Sequence, residues 1–187
     1  MVVKINQLNS SRLLLRQWRP EDQNIFARMN KDTDVMRYYP TCLTTLQSNK
    51  LAQKLAVLIE KKGWGLWALE LKESGEFIGF TGLHKPEADL PFNPCVEIGW
   101  RLAKMYWGKG YATEAAHVAL EFAFNKLGLS EVVSFTSKQN SRSSSVMQRL
   151  NMINTQQDFQ HPDIEEGQPL REHVLYKITR QQWQGLK

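Results

Sequence analysis

The stretch Met105-Tyr106-Trp107-Gly108-Lys109-Gly110-Tyr111-Ala112-Thr113-Glu114-Ala115-Ala116 decides how this chain is read. Gly108 and Gly110 stand two apart, and an apolar helical pattern begins directly after them. Glycine lets a backbone adopt conformations that a Cβ forbids and approach a ligand closely. A helix N-terminus presents unpaired N–H groups and a partial positive charge. The combination predicts an anion cradle suited to phosphates. Just upstream, Val96-Glu97-Ile98-Gly99-Trp100-Arg101-Leu102 has strand character, so the unit reads strand, glycine loop, helix. A Walker loop does not fit, because it needs Gly, four residues and then Gly-Lys-Ser/Thr, and Lys109 is not placed that way. A dinucleotide fingerprint fits only in part, since Thr113 stands where it wants a third small residue.

Outward from the loop, the strand is expected over Val96–Met105 and the helix from about Thr113 to Leu127. Ala116, Leu120, Ala123 and Leu127 form one stripe of that helix, widened by Ala119 and Phe122, and so apolar a helix packs on a sheet. Upstream, Leu66–Leu71 and Phe77–Leu83 read as strands joined by the turn Glu73-Ser74-Gly75-Glu76. Gly79 and Gly82 in the second of them leave room for a neighbour or a bulge. Leu51, Leu55, Leu58 and Ile59 give a helix over Leu46–Lys62 one buried face, with Gly63 as its stop. Before it lie a strand in Ser11–Trp18, a short helix that starts at Pro20-Glu21-Asp22 and ends before Asp32, and an aromatic connector, Asp34–Pro40. Downstream come a strand over Glu131–Ser137, a helix over Asn140–Leu150 capped by Asn and Ser, a weaker strand over Met152–Gln160, the acidic loop His161–Arg171, a strand over Glu172–Ile178 and a tail.

At 187 residues, 42% hydrophobic and 23% charged, the composition is that of a soluble globular domain. A net charge of +5 suits an anionic ligand, but no basic run or stripe points to nucleic acid. No apolar run approaches the ~18 residues that span a membrane. The polar stretch Met1–Ser10 lacks the apolar core of a signal peptide. Cys42 and Cys95 form no CxxC, which implies neither a disulfide framework nor a zinc site and fits a reducing cytoplasm.

Trp107-x-x-Gly110-x-Ala112, inside Trp107–Ala115, resembles the pyrophosphate loop of the GNAT acetyltransferase superfamily, in the version carried by the branch that includes the ribosomal-protein N-terminal acetyltransferases. Asn140-x-x-Ser143-x-x-Val146-Met147-x-Arg149-Leu150-Asn151-Met152 resembles the second cofactor motif of that family, and Arg12–Arg16 and Gly75–Leu83 resemble its opening strand and second hairpin arm. Two residues depart from the pattern. Asn151 replaces the usual glycine, and Asn tolerates positive φ. Met147 stands where many members carry a tyrosine that protonates the leaving thiolate.

The resemblance covers nearly the whole chain. It implies a single α/β domain over 1–187, with a mixed, mostly antiparallel sheet of about seven strands and about four flanking helices. Splayed strands would form the acetyl-CoA cleft. It further implies acetyl transfer from acetyl-CoA to an amine, with no metal. The pyrophosphate would lie on Gly108, Lys109, Gly110, Tyr111, Ala112 and Thr113, beside Trp107. Leu102 and Ala103 would hold the pantetheine through their backbone, and Asn140 and Ser143 would face the cofactor or the departing sulfur.

A lysine amine costs roughly 4–5 kcal/mol to deprotonate at pH 7, and an α-amine only about 1 kcal/mol. An α-amine therefore needs only a weak or water-relayed base, for which Glu97 is the candidate, with Ser143 as a water-relayed acid. The acceptor side is expected to use Tyr38, Tyr39 and His84, with walls from the Leu46–Lys62 helix and the His161–Arg171 loop. A protein N-terminal amine is the first choice of acceptor. A small amine, or a non-catalytic module that only binds CoA, is the alternative. The chain is expected to be a monomer or homodimer free of nucleic acid and membrane.

Overall fold

The computed structural model describes residues 3–186, so Met1, Val2 and Lys187 of the expected polar start and tail lie outside it. Four strands in antiparallel succession open the chain: β1 (Leu8–Asn9), β2 (Leu13–Arg16), β3 (Leu66–Leu71) and β4 (Phe77–His84). β5 (Glu97–Leu102) adds to β4, again antiparallel, and β6 (Glu131–Ser137) follows parallel to β5. β9 (Glu172–Thr179) pairs antiparallel with β6, and its other edge carries the two-residue strands β7 (Ile153–Asn154) and β8 (Phe159–Gln160). The sheet is thus mostly antiparallel, with nine strands and five helices among the described residues where about seven and about four were expected.

The sequence explains this layering. Between β2 and β3 lie α1 (Asp22–Lys31) and α2 (Thr45–Lys62), which pack on one face of the sheet, and α3 (Tyr111–Asn125) covers the other. β4, sandwiched between the layers, is buried along all but its last residue. Its glycines serve close approach. A Cβ on Gly82 would fall 2.0 Å from the Gly65 carbonyl oxygen, and one on Gly79 would fall 2.2 Å from that of Arg101. α3 is held by Ala115, Ala116, Ala119 and Ala123 and by Leu120, Phe122 and Phe124, all buried; each such large side chain contributes roughly 1.5–3 kcal/mol. α1 is anchored by a buried ion pair, Arg16 to Asp22 at 2.8 Å, which Glu70 shares at 2.6 Å.

Several boundaries moved, for local reasons. α2 begins at Thr45 because Thr44 and Gln47 form a capping box. Only Glu97–Leu102 of the expected Val96–Met105 strand pairs in the sheet, and Lys104–Tyr106 turns into a 3₁₀ helix. The single strand expected over Met152–Gln160 breaks into β7 and β8. Between them Asn154 Oδ1 accepts from Gln156 N–H at 2.8 Å, and Gln156 takes φ +56°. The expected tail holds a short helix, α5 (Arg180–Gln184), with a second capping box and Trp183 buried. Asn151 adopts φ +58°, as its place after α4 (Ser141–Arg149) requires. No described helix is long and apolar enough to cross a membrane.

Candidate active site

β5 and β6 touch in register only at Glu97 and Val133, and beyond that pair they part. Val133 N–H bonds to Val96 O and Ala103 N–H bonds to Ile78 O, each at 3.0 Å. Strand alternation then turns the peptide groups of Trp100 and Leu102 toward the gap. Trp107 Nε1 donates to Leu102 O at 2.8 Å, which pins the loop to the strand and leaves Leu102 N–H facing the opening. Ala103 differs from expectation. Its N–H goes to Ile78 and its carbonyl accepts from Tyr106 N–H at 3.0 Å, so neither backbone group is free for a ligand.

At the mouth of the gap, Gly110 caps α3 in the left-handed conformation, φ +81°, with no side-chain cap bond. The first bond across the cap runs from Glu114 N–H to Gly110 O at 3.0 Å. The amides of Tyr111, Ala112 and Thr113 precede it and have no intrahelical acceptor. An acidic residue in this turn would repel an anion, but Glu114 is held elsewhere: its carboxylate takes Ser10 Oγ at 2.7 Å and Arg12 Nη2 at 2.6 Å. Burial raises its pKa, but the Ser10 and Arg12 hydrogen bonds and the Arg12 charge prevail and lower it. Across the gap, Asn140 caps α4 through Ser143 N–H at 3.2 Å and donates from Nδ2 to Thr136 Oγ1 and Ser143 Oγ. Arg142 lays its guanidinium 4.5 Å from the Trp107 ring centre.

These parts enclose a cleft of about 840 Å³. The expected Leu102, Trp107, Gly108, Gly110, Tyr111, Ala112 and Thr113 line it on one wall. Asn140 and Ser143 line the opposite wall, and Tyr38 and Tyr39 the acceptor end. Lys109 does not; its Nζ lies 5.6 Å from the Tyr106 ring centre. Glu97 and His84 lie off the lining, paired with each other at 2.9 Å across β4 and β5. Burial lowers the pKa of His84, but the hydrogen bond and charge of Glu97 outweigh it and raise it. α2 and the His161–Arg171 loop supply no lining residue. His161 and His173 instead stack on each other at 4.9 Å and on Phe135 and Phe159. Met147 is wholly buried. Among the described residues no group of His, Cys, Asp and Glu is arranged to hold a metal.

Arg101 and Arg142, both in the lining, were not singled out from the sequence. Period-two alternation along Glu97-Gly99-Arg101 was the available signal for the first.

A sheet forked between two parallel strands, with free helix-terminal amides at the mouth of the fork, is suited to a cofactor that carries phosphates and threads between the strands. The chain belongs to the GNAT acetyltransferase family: residues 12–153 match its acetyltransferase (GNAT) domain model. It is 30% identical over 149 residues to the uncharacterized protein YkkB of Bacillus subtilis, covering 78% of this chain and 84% of that one. It is 34% identical over 130 residues to the FsC-acetyl coenzyme A-N(2)-transacetylase of Aspergillus fumigatus, covering 65% of this chain and 52% of that one. A GNAT-family acetyltransferase structure from Bacillus anthracis superposes with a TM-score of 0.79 at 24% identity, covering 94% of this chain and 99% of that one. Acetyl-CoA is the co-substrate, and the unpartnered amides of Tyr111–Thr113 fit its diphosphate.

Proposed function

We propose that residues 1–187 form one domain that acetylates α-amines, a protein N-terminus being the first choice of acceptor. The observation that carries this reading is the poverty of bases in the cleft. Its wall holds two carboxylates, Asp34 and Glu114, and both are tied up. Asp34 pairs with Lys104 at 2.5 Å and Arg37 at 2.7 Å, and Glu114 pairs with Arg12. No histidine lines it. Such a cleft suits an amine that arrives largely neutral. Roughly 1 kcal/mol separates an α-amine from that state at pH 7, against 4–5 for a lysine or polyamine nitrogen.

In this reading the amides of Tyr111, Ala112 and Thr113 take the diphosphate, with Gly108 and Gly110 letting it approach. The Trp100 and Leu102 peptide groups hold the pantetheine arm, and Arg142 and Arg149 add positive charge beside the phosphates. Holding thioester and amine together makes the attack effectively unimolecular. The amine nitrogen, entering past Tyr38 and Tyr39, bonds to the thioester carbon. Leu102 N–H stabilises the oxyanion. The nitrogen's proton leaves through water toward Glu97, which His84 orients. The carbon–sulfur bond then breaks, and the CoA thiolate is protonated through water near Ser143, whose hydroxyl Asn140 positions.

The test is a thiol-release assay with acetyl-CoA and four acceptor groups: peptides with a free N-terminus, the same peptides blocked there but carrying lysine, free amino acids, and polyamines. The α-amine acceptors are expected to lead in kcat/KM. A lead for blocked lysine peptides or polyamines refutes the reading. Tight CoA binding with no turnover of any acceptor points to a non-catalytic module.

A further inference from the structure

Arg101 carries a charge that the protein leaves unpaired. It lines the acceptor end of the cleft, on the β5 face that meets α1. Nη1 donates to Asn30 Oδ1 at 2.8 Å, and the guanidinium stacks 4.0 Å from the centre of the Tyr39 ring and 5.4 Å from that of Phe80. Its orientation is therefore fixed before any ligand arrives. The other edge is different. Nε is buried with no hydrogen-bond partner, Nη2 has none among the described residues, and Arg101 is in no ion pair. Asp34, the carboxylate at the same end, is committed to Lys104 and Arg37. Nη2, which is not among the buried atoms, is the donor left open, and a bond from a guanidinium to a carboxylate is charge-assisted.

What lies beside Arg101 on the strand sharpens the point. Glu97, Gly99 and Arg101 share one face of β5 by the two-residue period of a strand. Gly99 has no side chain, and the Glu97 Oε1 atom lies 4.0 Å from where its Cβ would be. The Glu97 carboxylate therefore fills part of the space over Gly99, on the same strand face as Arg101.

We propose that Arg101 docks a carboxylate carried by the acceptor, so that the enzyme selects zwitterionic, amino-acid-like acceptors and rejects polycations. This rests on the acetyl-transfer reading above. The carboxylate comes either from a free amino acid or from an acidic side chain at the start of a peptide. In both cases it anchors the amine at the acceptor end of the cleft, beside Tyr39, where a polyamine would meet an unneutralised guanidinium.

The test compares matched pairs. Each amino acid is set against its decarboxylated amine, and peptides beginning with Asp or Glu against those beginning with Asn or Gln. For each pair kcat/KM is measured, and so is affinity for the protein saturated with CoA, which needs no turnover. Wild type is expected to favour the carboxylate member by about 10- to 100-fold, the range of a charge-assisted bond. Arg101→Gln should bring the ratio close to one, and Arg101→Lys should restore part of it. Acetyl-CoA affinity should be unchanged in both variants. Preference confined to amino acids, or to peptides, identifies the source of the carboxylate. Equal affinity for both members in wild type, or no binding of either, overturns the proposal. Carboxylate-dependent binding without turnover supports the site while refuting the acetyl-transfer reading.

Discussion

The glycine at the mouth of the cleft can be tested with a built-in control. Gly110 sits at φ +81°, and an added Cβ would have Arg12 Nη2 as its nearest neighbour at 3.6 Å, an ordinary contact. Gly75, in the β3–β4 turn, sits at φ +73° with nothing within 4 Å of an added Cβ. Alanine at either position therefore costs the backbone alone, about 1–2 kcal/mol of stability. Their effects on the co-substrate should diverge. In the proposed binding mode the new methyl at Gly110 projects where the diphosphate approaches, and any relaxation of φ swings the amides of Tyr111–Thr113 off line. Losing one charge-assisted bond of 1.5–3 kcal/mol weakens binding about 10- to 100-fold. Gly110→Asp adds a like charge on an exposed residue, a further ~1–4 kcal/mol at about 4 Å, depending on how well water screens it. The total is a loss of about 100-fold or more. Calorimetric titration of CoA into wild type, Gly75→Ala, Gly110→Ala and Gly110→Asp measures this, with thermal melts as the check on folding. If Gly110→Asp binds within about threefold of wild type, the helix terminus is not the diphosphate site.

Two further outcomes follow from ion pairs. The raised pKa of His84 means that its pairing with Glu97 stabilises the fold fully below the ordinary imidazole value of 6.5 and is lost as pH rises through the higher folded value. Glu97→Gln should thus destabilise more at about pH 5.5 than at about pH 9, by on the order of 1 kcal/mol or less because 34% of the His84 side chain is exposed. Urea unfolding at both pH values checks it, and an equal or reversed difference refutes it. The same variant should lower turnover without changing CoA affinity. Asp22→Asn leaves the buried Arg16 with Glu70 alone; breaking such a pair costs about 3 kcal/mol, and a urea midpoint unchanged from wild type would refute the pairing's importance.

The fold was legible wherever burial imposes a period. Leu66–Leu71 and Glu131–Ser137 came out at their observed limits because alternation and β-branched or aromatic residues agree there. The errors lie where hydrogen bonds of single side chains decide. Thr44-x-x-Gln47 and Thr179-x-x-Gln182 are the same capping signature, and each starts a helix that hydrophobic spacing alone placed late or missed. Met152–Gln160 reads as one weak strand, with Met152 and Ile153 at one end and Phe159 near the other. The Asn154–Gln156 turn breaks it, and both halves still pair with β9 because the sheet continues past the turn.

The site divides along the same line. The proposed co-substrate wall is made of backbone amides, and backbone geometry is what glycines and caps announce, so the placing of Gly110 to Thr113 and of Asn140 and Ser143 on the cleft could be read directly. The acceptor wall is made of side chains from distant segments. That Arg101 shares a face with Glu97 follows from a period of two, but its freedom from any carboxylate does not. That freedom depends on Asn30, 71 residues upstream on α1, supplying a neutral acceptor. It depends equally on Lys104 drawing Asp34 away across the 3₁₀ turn. Had Asp34 paired with Arg101, the same residues in the same order would have left no free guanidinium, and the proposed preference for acceptors with a carboxylate would have no basis. In the proposed reading the acceptor preference is thus set by where Asp34 finds its cations, at Lys104 and Arg37 rather than at Arg101, a choice made by tertiary packing.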